Sequence, residues 1–324
     1  MTNISQTIGT ARVARPAITQ APHLATRQFV EVRQPDAVTR AASAQTFFTI
    51  RWLVDPERRE HAFQAYAYFR WLDDTLDSLE TSPQARRSML VHQADLIDRA
   101  YQGERPEAHC AQERWMLDLI ASEPERSTSL EQYVRRLMAV MAFDTERLGR
   151  RITGEELAHY SQDLAVGVTE AMHYFIGHDR PAPRRADRYQ AVLGAHITHM
   201  LRDMIDDVRM GYYNMPREYL EANKLAVDAF ASPPYRAWVR ERVQLARNCF
   251  AAGSHYLAAV PCRRCRFAGF AYMRRFVHVL DVIEADGYIL REKYADRSSL
   301  SASLALAARA LQMAILSPTS ATQA

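Results

Sequence analysis

Strict apolar–polar alternation, the mark of a half-buried strand, is missing throughout this chain, and long proline-free blocks stand in its place. No proline falls between 57 and 82, 84 and 105, 125 and 180, 184 and 215, 235 and 260, or 262 and 317. Proline inside a helix costs about 3 kcal/mol, so such blocks are what a helical protein leaves behind. Start signals agree with them. Asp55-Pro56, Ser82-Pro83 and Ser232-Pro233 each set a capping residue before a first-turn proline, and Thr128-x-x-Glu131 and Thr153-x-x-Glu156 have capping-box spacing. The pattern predicts about ten helices, over roughly 40–54, 56–80, 83–103, 108–121, 128–148, 153–178, 186–211, 234–258, 263–290 and 299–315. No Gly/Ser-rich linker divides them and no fixed-period repeat is visible. One all-α domain over 39–316 is the economical reading, with disordered tails over 1–38 and 317–324.

Composition fits that picture. Of 324 residues, 48 % are hydrophobic and only 11 are Gly, enough apolar content for a full core and a lean toward helix. A net charge of +3 gives no basis for a nucleic-acid partner. Cys262-Arg-Arg-Cys265 is a lone C-x-x-C without the second pair of a zinc ribbon; with Cys110 and Cys249 it reads as free thiols of a reducing cytosol. The first thirty residues lack the apolar core of a secretory signal, and no run of eighteen apolar residues predicts a transmembrane helix. A cytoplasmic protein is expected, with peripheral membrane contact left open for the Ala/Leu-rich stretch Leu300 to Leu316, whose docking on the body is the preferred reading.

Two stretches carry chemistry. Tyr66 to Ser78 sets Tyr66, Arg70, Asp73, Asp74 and Asp77 on one stripe of a helix at steps of three and four. His196 to Pro216 does the same with His196, His199, Asp203 and Asp206/Asp207, with Arg202 adjacent. Like charges one turn apart repel, so a solvated acidic face is the ordinary explanation. Here Phe63, Tyr66, Phe69 and Trp71 surround the first stripe, and Ile197, Met200, Leu201, Met204 and Ile205 fill the second helix. Carboxylates at this density in apolar surroundings call for cations. Asp144, in an apolar run, is a further acid, with a helix-surface position as its alternative.

The two stretches resemble the squalene/phytoene synthase family. Tyr66-Ala-Tyr-Phe-Arg70 followed by Asp73-Asp-x-x-Asp77 is similar to its Y-A-F-C-R-x-x-D-D-x-x-D signature, and Leu201-Arg-Asp-Met-Ile-Asp-Asp207 to its L-R-D-x-x-E-D block. Thr46-Phe47 and Arg51-Trp-Leu53 look like its upstream S-F-x-x-A-x-R-x-L segment. Ala271-Tyr-Met-Arg-Arg and Ile283-Glu-Ala-Asp-Gly-Tyr288 look like its C-terminal region, so the likeness spans about 43–293. It implies an all-α, single-domain isoprenoid synthase fold around a central cavity. About two or three Mg²⁺ ions, with Mn²⁺ as an alternative, would be held by Asp73, Asp74, Asp77, His199, Asp203 and Asp207. They would bind the diphosphate of an allylic isoprenyl donor. Tyr66, Arg70, His196, His199 and Arg202 would act in catalysis, and Thr46, Phe47, Arg51, Tyr66 and Tyr212 would line the substrate.

The chain also departs from that pattern. His196 and His199 stand at the Q-x-x-N positions, Tyr212 and Asn214 replace Arg and Tyr in G-R-x-Y-L-P, and Ala44 and Thr46 stand for paired serines. The V-A-G-x-V-G stretch becomes Leu164-Ala-Val-Gly-Val-Thr169. These losses spare the first ionisation and fall on the second half of coupling. The expected reaction is therefore transfer of a prenyl cation to a non-isoprenoid, aromatic acceptor in secondary metabolism, with His196, His199 or Tyr212 orienting or deprotonating it. The alternative is head-to-head condensation of two isoprenyl diphosphates. More remote are a phosphohydrolase built on His196, His199 and Asp203, and a non-catalytic isoprenoid-binding relative.

Overall fold

Side-chain caps place most of the helix starts. Ser43, Ser82, Ser127, Thr153 and Ser232 each accept a hydrogen bond from the backbone N–H three residues on. The computed structural model describes residues 34–78, 82–123, 127–178 and 180–294. Among them run eleven α-helices: α1 (Pro35–Ala42), α2 (Ala44–Leu53), α3 (Arg59–Asp77), α4 (Pro83–Tyr101), α5 (Ala111–Ala121), α6 (Thr128–Arg147), α7 (Gly154–Phe175), α8 (Gln190–Met210), α9 (Arg217–Ala222), α10 (Pro233–Ala259) and α11 (Arg263–Ala285). No β-strand occurs among the described residues. The all-α expectation holds. The expected helix over 299–315 and the tail over 317–324 lie outside the described residues, as does most of the tail over 1–38; α1 begins inside that stretch, at Pro35.

Three local expectations change. The helix expected over 40–54 is two helices, because Ser43 turns extended (φ −154°, ψ 99°) to cap α2 and so ends α1. Thr128 is the first residue of α6, and the cap is Ser127, whose hydroxyl accepts from the Leu130 N–H. Asp55 caps nothing. Pro56 opens a short 3-10 turn, and the buried Asp55 carboxylate reaches instead to the Gly177 and His178 N–H groups and to Arg264. The Thr153–Glu156 capping box is reciprocal, as expected.

Helix α8 is the middle of the bundle and packs on α7, α10 and α11. Its Ala191, Gly194, Ala195, Ile197, Leu201, Met204 and Ile205 are buried. Close approach to α10 depends on glycine: a Cβ at Gly253 would lie 2.5 Å from the Ala191 nitrogen, and one at Gly194 would lie 2.9 Å from the Ala246 carbonyl. Near the N-terminal end of α8 a small cavity of about 20 Å³, room for about one water, is bordered by His173, Arg188, Tyr256 and Cys265. The four cysteines are free, three of them buried. No helix among the described residues is long and apolar enough to cross a membrane.

Candidate active site

The acidic stripe of α3 forms as its spacing predicts. Arg70 donates to Asp73 at 3.3 Å and, more closely, to Asp74. Asp74 and Asp77 are exposed, Asp73 and Tyr66 half-buried. Burial and the neighbouring Asp77 carboxylate push Asp73 up to about 6. Asp77 is also raised, mainly by burial and against the pull of the Arg70 and Arg86 guanidiniums. Burial raises the Tyr66 phenol, so it stays protonated beside the carboxylates.

On α8 the histidines are already engaged or enclosed. His199 Nε2 lies 2.9 Å from Asp203 Oδ2, and Arg202 donates to both Asp203 oxygens at 2.6 and 2.8 Å. Burial would raise Asp203, but the hydrogen bonds from Arg202 and His199 outweigh it and hold the carboxyl below its usual range. His196 is 5 % exposed, packs edge-on to Tyr160 with centroids 5.2 Å apart, and its Nε2 has no hydrogen-bond partner. Burial, with His199 and Arg147 nearby, lowers its pKa to about 3. Enclosure of this kind favours the neutral imidazole.

What joins the two stripes is a polar network that runs through α6 and the turn after α8. Arg147 donates from Nε to Asp144 at 2.6 Å and from Nη1 to Asn214 Oδ1 at 2.7 Å. Asn214 Nδ2 donates to Asp207 at 2.7 Å, and the Tyr160 hydroxyl to Asp144 at 3.1 Å. The Arg147 guanidinium also lies 4.8 Å from the Tyr160 ring and 4.9 Å from the Tyr212 ring, while Tyr212 reaches Asp77. Burial and the Asp77 charge push Tyr212 up to about 12. Burial, with Asp203 nearby, pushes Asp207 up to about 6 against the pull of Asn214.

The turn is fixed by its backbone. Gly211 ends α8 at φ +91°, a left-handed position that favours glycine, and its carbonyl accepts from the Gly149 N–H at 2.9 Å. Arg217 N–H donates to the Ile152 carbonyl at 2.7 Å. The α8–α9 turn is thus tied to the α6–α7 turn, which holds Tyr212 and Asn214 over the carboxylates. Asp144 and Tyr212 were recognisable in sequence. Arg147 and Tyr160 were not, although the three-residue step from Asp144 to Arg147 is an ion-pair spacing.

Other expected residues lie apart. Phe47 is buried against Phe63, with centroids 5.5 Å apart, near the start of α3 and about 15 Å along the helix from Asp73. Thr46 donates to the Ser43 hydroxyl at 2.9 Å, within the cap of α2. Arg51 is exposed in the last turn of α2.

A profile of squalene/phytoene synthase matches residues 40–303. The chain belongs to the squalene/phytoene synthase family. It is 28 % identical over 261 residues to a phytoene synthase from Thermus thermophilus, covering 78 % of this chain and 82 % of that one. It is 26 % identical over 230 residues to a presqualene diphosphate synthase from Zymomonas mobilis, covering 69 % and 75 %. The fold is shared with a dehydrosqualene synthase (TM-score 0.64, 14 % identity, 86 % and 94 % covered). It is shared too with a squalene synthase from Alicyclobacillus acidocaldarius (TM-score 0.62, 20 % identity, 79 % and 94 % covered).

An aromatic acceptor finds no support among these relatives, which favour the head-to-head alternative. Tyr212 and Asn214, whose departures motivated that expectation, are partners of Asp77, Arg147 and Asp207, and His199 is a partner of Asp203.

Family members use divalent metal with diphosphate substrates. The donor set of this chain fits Mg²⁺. Asp73, Asp77, Asp203 and Asp207 offer only oxygen, and Asp73 and Asp207 are raised to about 6 by burial and a neighbouring carboxylate. His199 Nε2 lies against Asp203 Oδ2, so this imidazole and that carboxylate share one corner of the site.

Proposed function

We propose that this chain joins two isoprenyl diphosphates head to head with release of pyrophosphate. The observation that carries the reading is the linkage of the Asp73/Asp77 face to the Asp203/Asp207 face through Arg147, Asn214 and Tyr212. Relatives named presqualene diphosphate synthase and phytoene synthase support it.

Bound divalent metal would neutralise charge on the leaving diphosphate. The side chains do the rest. Arg70 and Arg202, now on Asp73, Asp74 and Asp203, are placed to donate to phosphate oxygens once those carboxylates take another partner. Arg147 stays fixed by Asp144 and Asn214 and keeps Asp207 oriented. Tyr66 and the rings packed on Tyr160 keep water from the cation left when the allylic C–O bond breaks. The double bond of the second prenyl chain then attacks that cation, and the tertiary cation so formed loses a proton to bulk base as the cyclopropane ring closes.

The test needs one substrate only. Given Mg²⁺ and farnesyl or geranylgeranyl diphosphate with no other acceptor, the protein releases pyrophosphate. Release that begins only when an aromatic compound is added would refute the head-to-head reading.

A further inference from the structure

A second cluster of ligating side chains lies between α4 and α5, outside the carboxylate site. Glu113, in the first turn of α5, is 3 % exposed. Its Oε2 accepts from the His109 backbone N–H at 2.6 Å, and its Oε1 from Gln93 Nε2 at 2.7 Å. The His92 ring nitrogen Nε2 lies 3.0 Å from the same Oε1. Among the described residues no Lys or Arg ion-pairs with Glu113. The three donors orient the carboxylate and favour its ionised form, and helix capping uses only one of its two oxygens.

Both histidines stand beside that carboxylate. The His92 and His109 rings are stacked, with centroids 5.1 Å apart and planes at 7°, so the exposed His109 ring must rotate about its side-chain bonds to aim an in-plane nitrogen lone pair at an ion held by His92 and Glu113. One ligand atom from each of His92, His109 and Glu113 falls within 4.8 Å of the other two. Two ligands about 2.0 Å from a tetrahedral metal are about 3.3 Å apart, so the 3.0 Å between His92 and Glu113 needs only a few tenths of an ångström of adjustment. A supporting shell is present. Gln93, buried, holds Glu113 with its amide nitrogen and accepts at its amide oxygen from the Tyr68 hydroxyl of α3 at 2.9 Å. Two imidazoles and a carboxylate favour Zn²⁺ over Mg²⁺, whose preference is for oxygen.

We propose that His92, His109 and Glu113 form a transition-metal site, with Zn²⁺ as the fitting ion, that staples the α4–α5 connection to the body of the bundle. The half-exposed His92 and exposed His109 leave an open path for the ion and a fourth position for water. The site is independent of the prenyl chemistry.

Full-length protein is stripped of metal, held in excess Mg²⁺ to occupy oxygen-donor sites, and titrated with Zn²⁺ by calorimetry and with Co²⁺ by visible absorption. The wild type binds one Zn²⁺ per chain at this site, gives the intense bands of four-coordinate Co²⁺, and melts at a higher temperature with Zn²⁺ than without. His109→Ala weakens binding by at least about tenfold, the smaller loss known for removing even a supporting partner of a metal ligand. His92→Gln keeps a donor to Glu113 and so the metal-free melting temperature, yet also loses the Zn²⁺ site. Equal Zn²⁺ stoichiometry and affinity in the wild type and both variants overturns the proposal, as does a wild type that binds no Zn²⁺. Both substitutions are at accessible rings, and circular dichroism confirms that the variants are folded.

Discussion

Arg147 sits among more partners than any other cation of the candidate site. It is 5 % exposed, bonded to Asp144 and Asn214, and stacked near Tyr160 and Tyr212. Arg147→Met leaves the half-buried Asp144 without its counter-ion, and loss of a hydrogen bond to a charged group costs about 1.5–3 kcal/mol. Urea denaturation measures it, and an unchanged midpoint would show that the pair stabilises nothing. Tyr212→Phe is a gentler probe. It keeps the ring near Arg147 and removes the hydroxyl from beside the Asp77 charge, so turnover falls about tenfold while the melting temperature stays within a few degrees. Steady-state kinetics beside a thermal melt separates the two effects.

The raised carboxyls give a pH signature. Asp73 and Asp207, each pushed to about 6, must be ionised to bind Mg²⁺, so protons compete with the metal as the pH falls through that value. The rise in melting temperature on adding Mg²⁺ is therefore larger at about pH 7.5 than at about pH 5.5. An equal rise at both would mean that these two carboxyls are not ligands. Residue periodicity was enough to place Asp73 with Asp77 and Asp203 with Asp207, because each set lies on one helix. Arg147 and Tyr160 were illegible for the opposite reason: they enter from α6 and α7, and only tertiary packing brings them to the carboxylates.

At the scale of elements, the chain announces its helices through what it excludes and how it starts them. Prolines and capping hydroxyls locate α4, α7 and α10 within a few residues. The errors are local contests that sequence does not decide. Ser43 can continue a helix or cap the next, and it caps; Asp55 can cap or accept from distant donors, and it accepts. The six-residue α9 has too few periodic positions to be recognised. Spacing between α8 and α10 is set by Gly194 and Gly253. Gly253→Ala would force a methyl against the Ala191 backbone and is expected to destabilise the fold by about 1–3 kcal/mol, read as a lower chemical denaturation midpoint. A variant as stable as the wild type would show that the two helices can part without cost.

For the whole molecule, the two carboxylate faces belong to helices far apart in sequence, α3 and α8. The bundle brings them into one field by tying the α6–α7 turn to the α8–α9 turn. The fold class was legible because helix signals recur along the chain and the acidic stripes resemble one family; the deciding partners at the site were not, because they are turns and neighbouring helices. The central claim is that this site couples two prenyl chains to each other. Its most direct test is mass spectrometry of the apolar product formed from Mg²⁺ and a single isoprenyl diphosphate. The account predicts a hydrocarbon or prenyl product with twice the carbon number of the donor, absent with Asp73→Ala or Asp203→Ala. A product that keeps the donor's carbon number, or full turnover in either variant, would contradict it.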